Sequence, residues 1–213
     1  MKVFEGFYAF VWQDFRENNC NTYFIDRKKK ILIDPGHDHL FRHVEQNLKQ
    51  LGVALSQIDY VLVTHGHPDH LEAAFRLQHP SLLAMSGEEY RFIKKWAGED
   101  YDIPAPDLYL EEGSLSLGDV VLDVYDTPGH SPGSVCLYWA EQKVLFTGDV
   151  VFNQGIGRTD LPEGSGLRLK ESIRKIKDLD VEYLMSGHGD ILAGREAVKQ
   201  NFRFIEDYWF QYI

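Results

Sequence analysis

Apolar and polar positions alternate along the chain in two periods, one typical of strands and one typical of helices. Short apolar runs bounded by turn residues predict strands, and apolar residues three or four positions apart predict helices with one buried face. The strands are predicted over Val3–Val11, Cys20–Ile25, Lys30–Ile33, Ile58–Val63, Ser81–Met85, Val120–Tyr125, Val135–Trp139, Lys143–Phe146 and Tyr183–Met185.

Five helices are predicted between and after these strands. Three of them span His39–Leu51, His70–Gln78 and Glu88–Trp96. A fourth is marked by Leu169, Ile173, Ile176 and Leu179, and a final one by Val198, Phe202, Ile205 and Trp209. Because several strands follow one another without a helix between them, a purely parallel sheet is not expected. The pattern favours one α/β domain over residues 1–213, with two sheets inside and helices outside.

Composition narrows the classes of function. Lys and Arg number 22 and Asp and Glu number 33, which gives a formal net charge of −11. That charge argues against binding to nucleic acid or to an anionic membrane surface, since both need clustered cations. A small anionic substrate stays possible, because a bound metal ion can outweigh the overall field locally.

Targeting signals and disulfide patterns are not evident in the sequence. The apolar stretch from Phe7 to Trp12 is followed by no small-residue cleavage site and is interpreted as a strand. Cys20 and Cys136 lie far apart and are expected to be reduced thiols in strands. No apolar run approaches the length of a membrane span. We therefore expect a cytoplasmic protein.

The strongest local signal is the segment from Thr64 to His70, which contains three histidines and one aspartate. It follows the strand predicted at Ile58–Val63, so His65 and His67, two residues apart, can project to the same side. Imidazole and carboxylate are ligands that zinc, iron and manganese accept. A metal site is therefore predicted at this strand end.

Three other predicted strands end in the same way. Each runs into a short turn containing glycine and then a side chain able to bind metal, namely His130, Asp149 and His188. Seven potential ligands are too many for one tetrahedral ion. They suit two ions about 3.5–4 Å apart that share a carboxylate and a water of lowered pKa, which makes hydroxide available.

These segments resemble the metallo-β-lactamase superfamily. Thr64–His70 matches its H-x-H-x-D-H signature, and His130, Asp149 and His188 match its later motifs in order. The resemblance implies a four-layer αββα sandwich, in which Asp34 lies near the metals as a supporting residue. It also implies the ligand sets. His65, His67 and His130 would hold one ion, Asp69, His70 and His188 would hold the other, and Asp149 would bridge them. Asp69 would orient the attacking water and accept its proton.

Within the superfamily, the segment from Gly155 to Pro162 is similar to glyoxalase II and to persulfide dioxygenases. Two departures concern glutathione. Gly189 and Asp190 stand where glyoxalase II tends to carry Glu-Tyr, and only one helix is predicted after His188, so the further C-terminal helical domain is expected to be missing. Arg158 is expected either to close a loop with Asp160 or to form the wall of the active-site mouth.

Other branches fit less well. The best-known β-lactamases use a cysteine where Asp149 stands, and flavodiiron reductases use a glutamate where His67 stands. The nuclease branches carry additional nucleic-acid-binding segments. The first expectation is therefore a hydrolase with two divalent ions, zinc foremost and iron or manganese as alternatives, that cleaves a small thioester or ester.

Two alternatives stay open. An iron-dependent persulfide dioxygenase would bind a single iron through His65, His130 and Asp149. A binding or regulatory protein with a decayed site would retain the ligands without activity. The substrate is expected to be a small molecule, and exposed aromatic residues near the C-terminus would permit a homodimer.

Four histidines are not assigned to the centre. His37, His39 and His43 are expected to be solvated loop or helix residues, although His37 or His39 could reach the metal rim. His79 precedes a proline and is expected at the surface.

Overall fold

The computed structural model describes residues 1–14, 16–77, 80–97 and 103–213. The strands are β1 Lys2–Phe4, β2 Phe7–Phe10, β3 Thr22–Asp26, β4 Lys30–Ile33, β5 Tyr60–Leu62, β6 Leu82–Ser86, β7 Leu108–Leu110, β8 Gly113–Leu117, β9 Val120–Asp126, β10 Val135–Trp139, β11 Val144–Gly148, β12 Val151–Phe152, β13 Gly155–Ile156, β14 Tyr183–Ser186 and β15 Leu192–Ala193. The helices are α1 Arg42–Gln50, α2 Pro68–Leu71, α3 Gly87–Ala97, α4 Gly166–Ile176 and α5 Arg195–Tyr208.

Thirteen of these strands form two mixed sheets. The first has the order β1-β2-β3-β4-β5-β6-β7, and the second has the order β15-β14-β11-β10-β9-β8. Strands β4 to β7 are parallel neighbours, as are β11 and β14, while the remaining pairs in both sheets are antiparallel. The carboxyl ends of β5, β11 and β14 and the turn between β9 and β10 carry the histidines and aspartates singled out above.

Three hydrophobic clusters separate four layers. Alternate residues of a strand point to opposite faces, so Ile31 and Ile33 pack between the two sheets whereas Leu32 packs under α1 and α3. The second sheet behaves likewise, with Leu137 between the sheets and Tyr138 under α4 and α5. The helix–sheet–sheet–helix arrangement confirms the predicted αββα sandwich.

Several predicted boundaries were wrong. The strand predicted at Val3–Val11 is a hairpin, because Gly6 adopts a positive φ of 76° and turns the chain between β1 and β2. The helix predicted at His70–Gln78 begins at Pro68, and after Leu71 it tightens into a 3-10 segment over Glu72–Leu77. Its predicted end at Gln78, and the expectation for His79, lie outside the described residues.

Smaller differences concern the ends of elements. Leu179 lies beyond the end of α4, and Trp209 opens a 3-10 turn after α5. Both cysteines are free and buried as expected, but only Cys136 lies in a strand, since Cys20 precedes β3. No helix among the described residues is long and apolar enough to cross a membrane.

We expect the core between the sheets to dominate stability. Leu137 is fully buried there, and truncating it leaves a cavity, so Leu137→Ala should lower the free energy of unfolding by about 2–5 kcal/mol. Leu167→Ala is the matched control, since Leu167 is 68% exposed and should cost less than about 1 kcal/mol. Urea denaturation of both variants checks this, and equal losses would contradict the layer assignment.

Candidate metal centre

One group of ligand atoms comes from His65, His67, His130 and Asp149. His67 Nδ1 lies 3.0 Å from His65 Nε2 and 2.9 Å from His130 Nε2. Asp149 Oδ2 lies 3.5 Å from His130 Nε2 and 4.0 Å from His65 Nε2. Bonds of about 2.0–2.1 Å to one tetrahedral zinc ion would place its ligand atoms about 3.3 Å apart, so the spacing fits a single ion.

A second group lies on the other side of Asp149. His188 Nε2 is 3.3 Å from His70 Nε2 and 3.2 Å from Asp69 Oδ2. Asp149 reaches this group through both oxygens, with Oδ2 3.4 Å from His188 Nε2 and Oδ1 3.3 Å from His70 Nε2. A single carboxylate therefore faces both groups.

The donor set fits a pair of divalent cations. Oδ1 of Asp149 is buried and accepts no hydrogen bond from any residue that the structure describes, although a buried carboxylate oxygen normally has a partner. Gly187 passes so close that a Cβ there would collide with this oxygen and with His70. A side chain at position 187 would therefore displace the Asp149 carboxylate and the His70 ring. Imidazole and carboxylate donors gathered in this way suit divalent metal ions.

Without metal, the two groups would carry different charges. Burial, together with the neighbouring His130, lowers the pKa of His67 to about 4, and burial also lowers the pKa values of His65 and His130. Neutral imidazoles are the form that binds metal. On the other side, burial opposes the charge of His188, but hydrogen bonds to Asp149 and Asp69 raise its pKa to about 9.

Hydrogen bonds outside the two groups orient the histidines. His130 donates from Nδ1 to the Arg158 carbonyl at 2.8 Å, which leaves the Nε2 lone pair facing the centre. Thr64 Oγ1 donates to Asp34, so it is free to accept from His65 Nδ1 at 3.2 Å. Each imidazole is thereby held in the tautomer that a metal requires.

Asp34 supports the second group in the position that the resemblance implied. Its Oδ2 lies 3.0 Å from His70 Nδ1, and its Oδ1 accepts the Thr64 backbone N–H at 2.8 Å. Its left-handed backbone, with φ at 51°, directs this carboxylate inward behind the ligands. Asp69 is held separately, since Asn18 Nδ2 donates to Asp69 Oδ2 at 2.6 Å.

Glu89 is a supporting residue that sequence reasoning missed. It is completely buried in α3 and accepts the Gly66 N–H at 2.8 Å, the Gly133 N–H at 2.9 Å and the Ser131 hydroxyl at 2.8 Å. Gly66 lies between His65 and His67, and Ser131 follows His130. Burial raises the pKa of Glu89, while these three hydrogen bonds oppose the rise. One carboxylate therefore joins the two loops that supply the three histidines of the first group.

The centre opens into a cleft of about 570 Å³. Its floor is formed by ligand residues from both groups, and its walls include Asn18, Phe152, Ile156, Leu161 and Arg158. Arg158 forms a bidentate ion pair with Asp160, with both N–O distances at 2.8 Å, so it both closes a loop and lines the mouth. Neither His37 nor His39 is among the residues that line this cleft.

A sequence model described as the metallo-β-lactamase superfamily matches residues 15–188. The chain belongs to the metallo-β-lactamase superfamily. The resemblance drawn from the sequence motifs is thereby confirmed, and the fold agrees with it. All seven predicted ligands lie within the matched range and meet in the two groups described above.

Individual members of the superfamily are also similar to this chain. It is 35% identical over 199 residues to hydroxyacylglutathione hydrolase GloC from Haemophilus influenzae, an alignment that covers 87% of this chain and 92% of the relative. The BLEG-1 B3 metallo-β-lactamase superposes with a TM-score of 0.73 and 30% identity, covering 95% of this chain and 97% of that one. TTHA1623 in a di-iron-bound form superposes with a TM-score of 0.68 and 27% identity, covering 82% and 89%. These similarities support a hydrolase enzyme.

Replacing Glu89 should weaken metal retention. Glu89→Ala removes the acceptor shared by the Gly66 N–H, the Gly133 N–H and the Ser131 hydroxyl, so both histidine loops should loosen and metal affinity should fall about 10–100-fold. Glu88→Ala is the matched control, because Glu88 is the exposed neighbour of Glu89 and pairs with Arg91 at the surface. Metal content after dialysis against graded chelator measures the difference, and equal retention in the two variants would refute the role of Glu89.

The raised pKa of His188 makes a prediction for the metal-stripped protein. An imidazole has a pKa of about 6.5 when unfolded, so the folded state binds this proton more tightly. Its contribution to stability is full below about pH 6.5 and is lost as the pH rises through about 9. It amounts to at most about 3 kcal/mol.

The stability gap between the stripped protein and its His188→Asn variant should therefore shrink between pH 6.5 and pH 10. Denaturant unfolding at several pH values measures it. A gap that stays constant over this range would contradict the prediction.

Proposed function

We propose that the protein is a metal-dependent hydrolase that cleaves a small thioester or ester at a binuclear centre. His65, His67 and His130 would hold one ion, and Asp69, His70 and His188 would hold the other, with Asp149 between them. The observation that carries this proposal is the single Asp149 carboxylate that faces both groups of ligand atoms. Residues 1–213 would form a single metallo-β-lactamase-like domain.

When bound, the ions would supply Lewis acidity and a water of lowered pKa. The chain itself supplies positioning and proton transfer. Asp69 lines the cleft. Burial raises the pKa of its carboxyl group, but the hydrogen bond with His188 outweighs that effect and holds the pKa below the usual range. Asp69 is therefore ionised at neutral pH. An ionised carboxylate in this position can orient the attacking water and accept its proton. Asn18 holds the carboxylate in place.

The walls of the cleft fit a small acyl compound. Phe152, Ile156 and Leu161 form an apolar side that would take the acyl or thiol chain. Arg158 at the mouth could meet a substrate carboxylate if it exchanged its partner Asp160. The relative GloC is named as a hydroxyacylglutathione hydrolase, which supports a thioester as the first substrate class.

Asp69→Asn should lower kcat for thioester hydrolysis by about 10²–10⁴, because the amide cannot accept the proton. The matched control, Asp207→Asn, alters an exposed aspartate on α5 and should leave kcat unchanged. The assay uses protein loaded with zinc, iron or manganese on a hydroxyacyl-glutathione thioester, a simpler acyl thioester and an oxygen ester, with metal content measured for each variant.

The outcome separates the alternatives. Absence of hydrolysis across this panel, with full metal occupancy, would overturn the proposal. Oxygen uptake with glutathione persulfide by protein that holds one iron per chain would instead support the dioxygenase. A protein that retains both ions but has neither activity would support a binding or regulatory role.

A further inference from the structure

A second cluster of ligand side chains lies outside the cleft. One ligand atom from each of His37, His39 and Glu72 lies within 4.8 Å of the other two. His37 Nδ1 is 2.7 Å from Glu72 Oε2, and the imidazole rings of His37 and His39 have centroids 5.0 Å apart. Glu72 is 35 residues away from His37 in the sequence, so the fold brings this cluster together.

Hydrogen bonds from the backbone fix the positions of two of the three residues. The His37 N–H donates to Asn19 Oδ1 at 2.8 Å, and the Asp38 N–H donates to Glu72 Oε2 at 3.3 Å. An ion pair between Asp38 and Arg76 also joins the 3-10 segment at Asp38–Leu40 to the one at Glu72–Leu77. His37 and Glu72 therefore keep their spacing without a bound ion.

The third residue can adjust. The His39 side chain is 60% exposed, so its ring can rotate toward the His37–Glu72 pair. Its Nε2 already lies 3.8 Å from Glu17 Oε1, which places a further carboxylate at the open side. The nearby cation Arg76 is paired with Asp38. The carboxylates of Glu17 and Glu72 would therefore favour a bound cation electrostatically.

We propose that His37, His39 and Glu72 form an additional site for a divalent transition-metal ion, with Glu17 as a further ligand. Two imidazoles and a carboxylate suit zinc, nickel, copper or cobalt more than calcium or magnesium, which prefer oxygen ligands. Bonds of about 2.0–2.1 Å would place the ligand atoms about 3.3 Å apart. The hydrogen-bonded His37–Glu72 pair, at 2.7 Å, would need to open by only about 0.6 Å to hold an ion in this way. The ion would join the loop after Asp34 to the segment after α2.

Nickel binding to zinc-loaded protein tests this site. Equilibrium dialysis against micromolar Ni²⁺, with zinc and nickel counted by mass spectrometry, should show one nickel per chain and no loss of zinc. His39→Ala and Glu72→Gln should each lower nickel binding at least tenfold. Glu141→Gln, which alters an exposed glutamate on another surface, should bind nickel as the native chain does.

Nickel should also raise the melting temperature of the native protein and not that of His39→Ala, because only the native fold would bind the ion. Thioester hydrolysis is not the readout, so this test is independent of the proposed function. The proposal is overturned if the native chain binds no nickel, if the two cluster variants bind as much as the native chain, or if nickel enters only by displacing zinc.

Discussion

A buried carboxylate that faces two sets of imidazoles is the constraint on which the rest of the structure depends. Burying one oxygen of Asp149 without a hydrogen bond costs free energy, and so does burying several titratable groups beside it. That arrangement persists because loops from both sheets converge on this carboxylate. A bound cation on each side would satisfy its charge and the imidazole lone pairs together.

The rest of the fold positions the loops that meet at Asp149. The apolar layer between the sheets fixes the strand ends, and two buried acids then fix the loops that leave them. Asp34 holds the second group through His70, and Glu89 holds the first through the loops at Gly66 and Gly133. Because both acids are hydrogen-bonded to the backbone, the ligand loops are positioned by the surrounding elements as well as by contacts between the ligands. A site built in this way keeps its geometry before any ion binds.

The layered fold, and the residues that meet in the two groups, could be predicted because both depend on local patterns. The helical faces of α1 and α4 are strongly periodic, and His65, Asp149 and His188 each lie within three residues of the end of a buried strand. Glu89 could not be predicted in this way, since a glutamate in the first turn of a helix is usually solvated. The one sequence feature that indicates burial of Glu89 is its spacing to Ile93, which lies four residues later on the same buried face of α3. Strand β7 is only three residues long, and β8 contains only two apolar residues, Leu115 and Leu117, so neither has the longer apolar run that predicts the other strands.

The cluster of His37, His39 and Glu72 could not be predicted from the sequence either. The sequence places two histidines two residues apart, but only the fold brings Glu72 beside them. The expectation that one of them could reach the rim of the centre fails for the cleft as described, because neither lines it.

Anomalous diffraction from crystals of the metal-loaded protein tests the central claim most directly. The account predicts two metal peaks about 3.5–4 Å apart, one on each side of the Asp149 carboxylate. One peak held by His65, His130 and Asp149 alone, at full metal saturation, would contradict it.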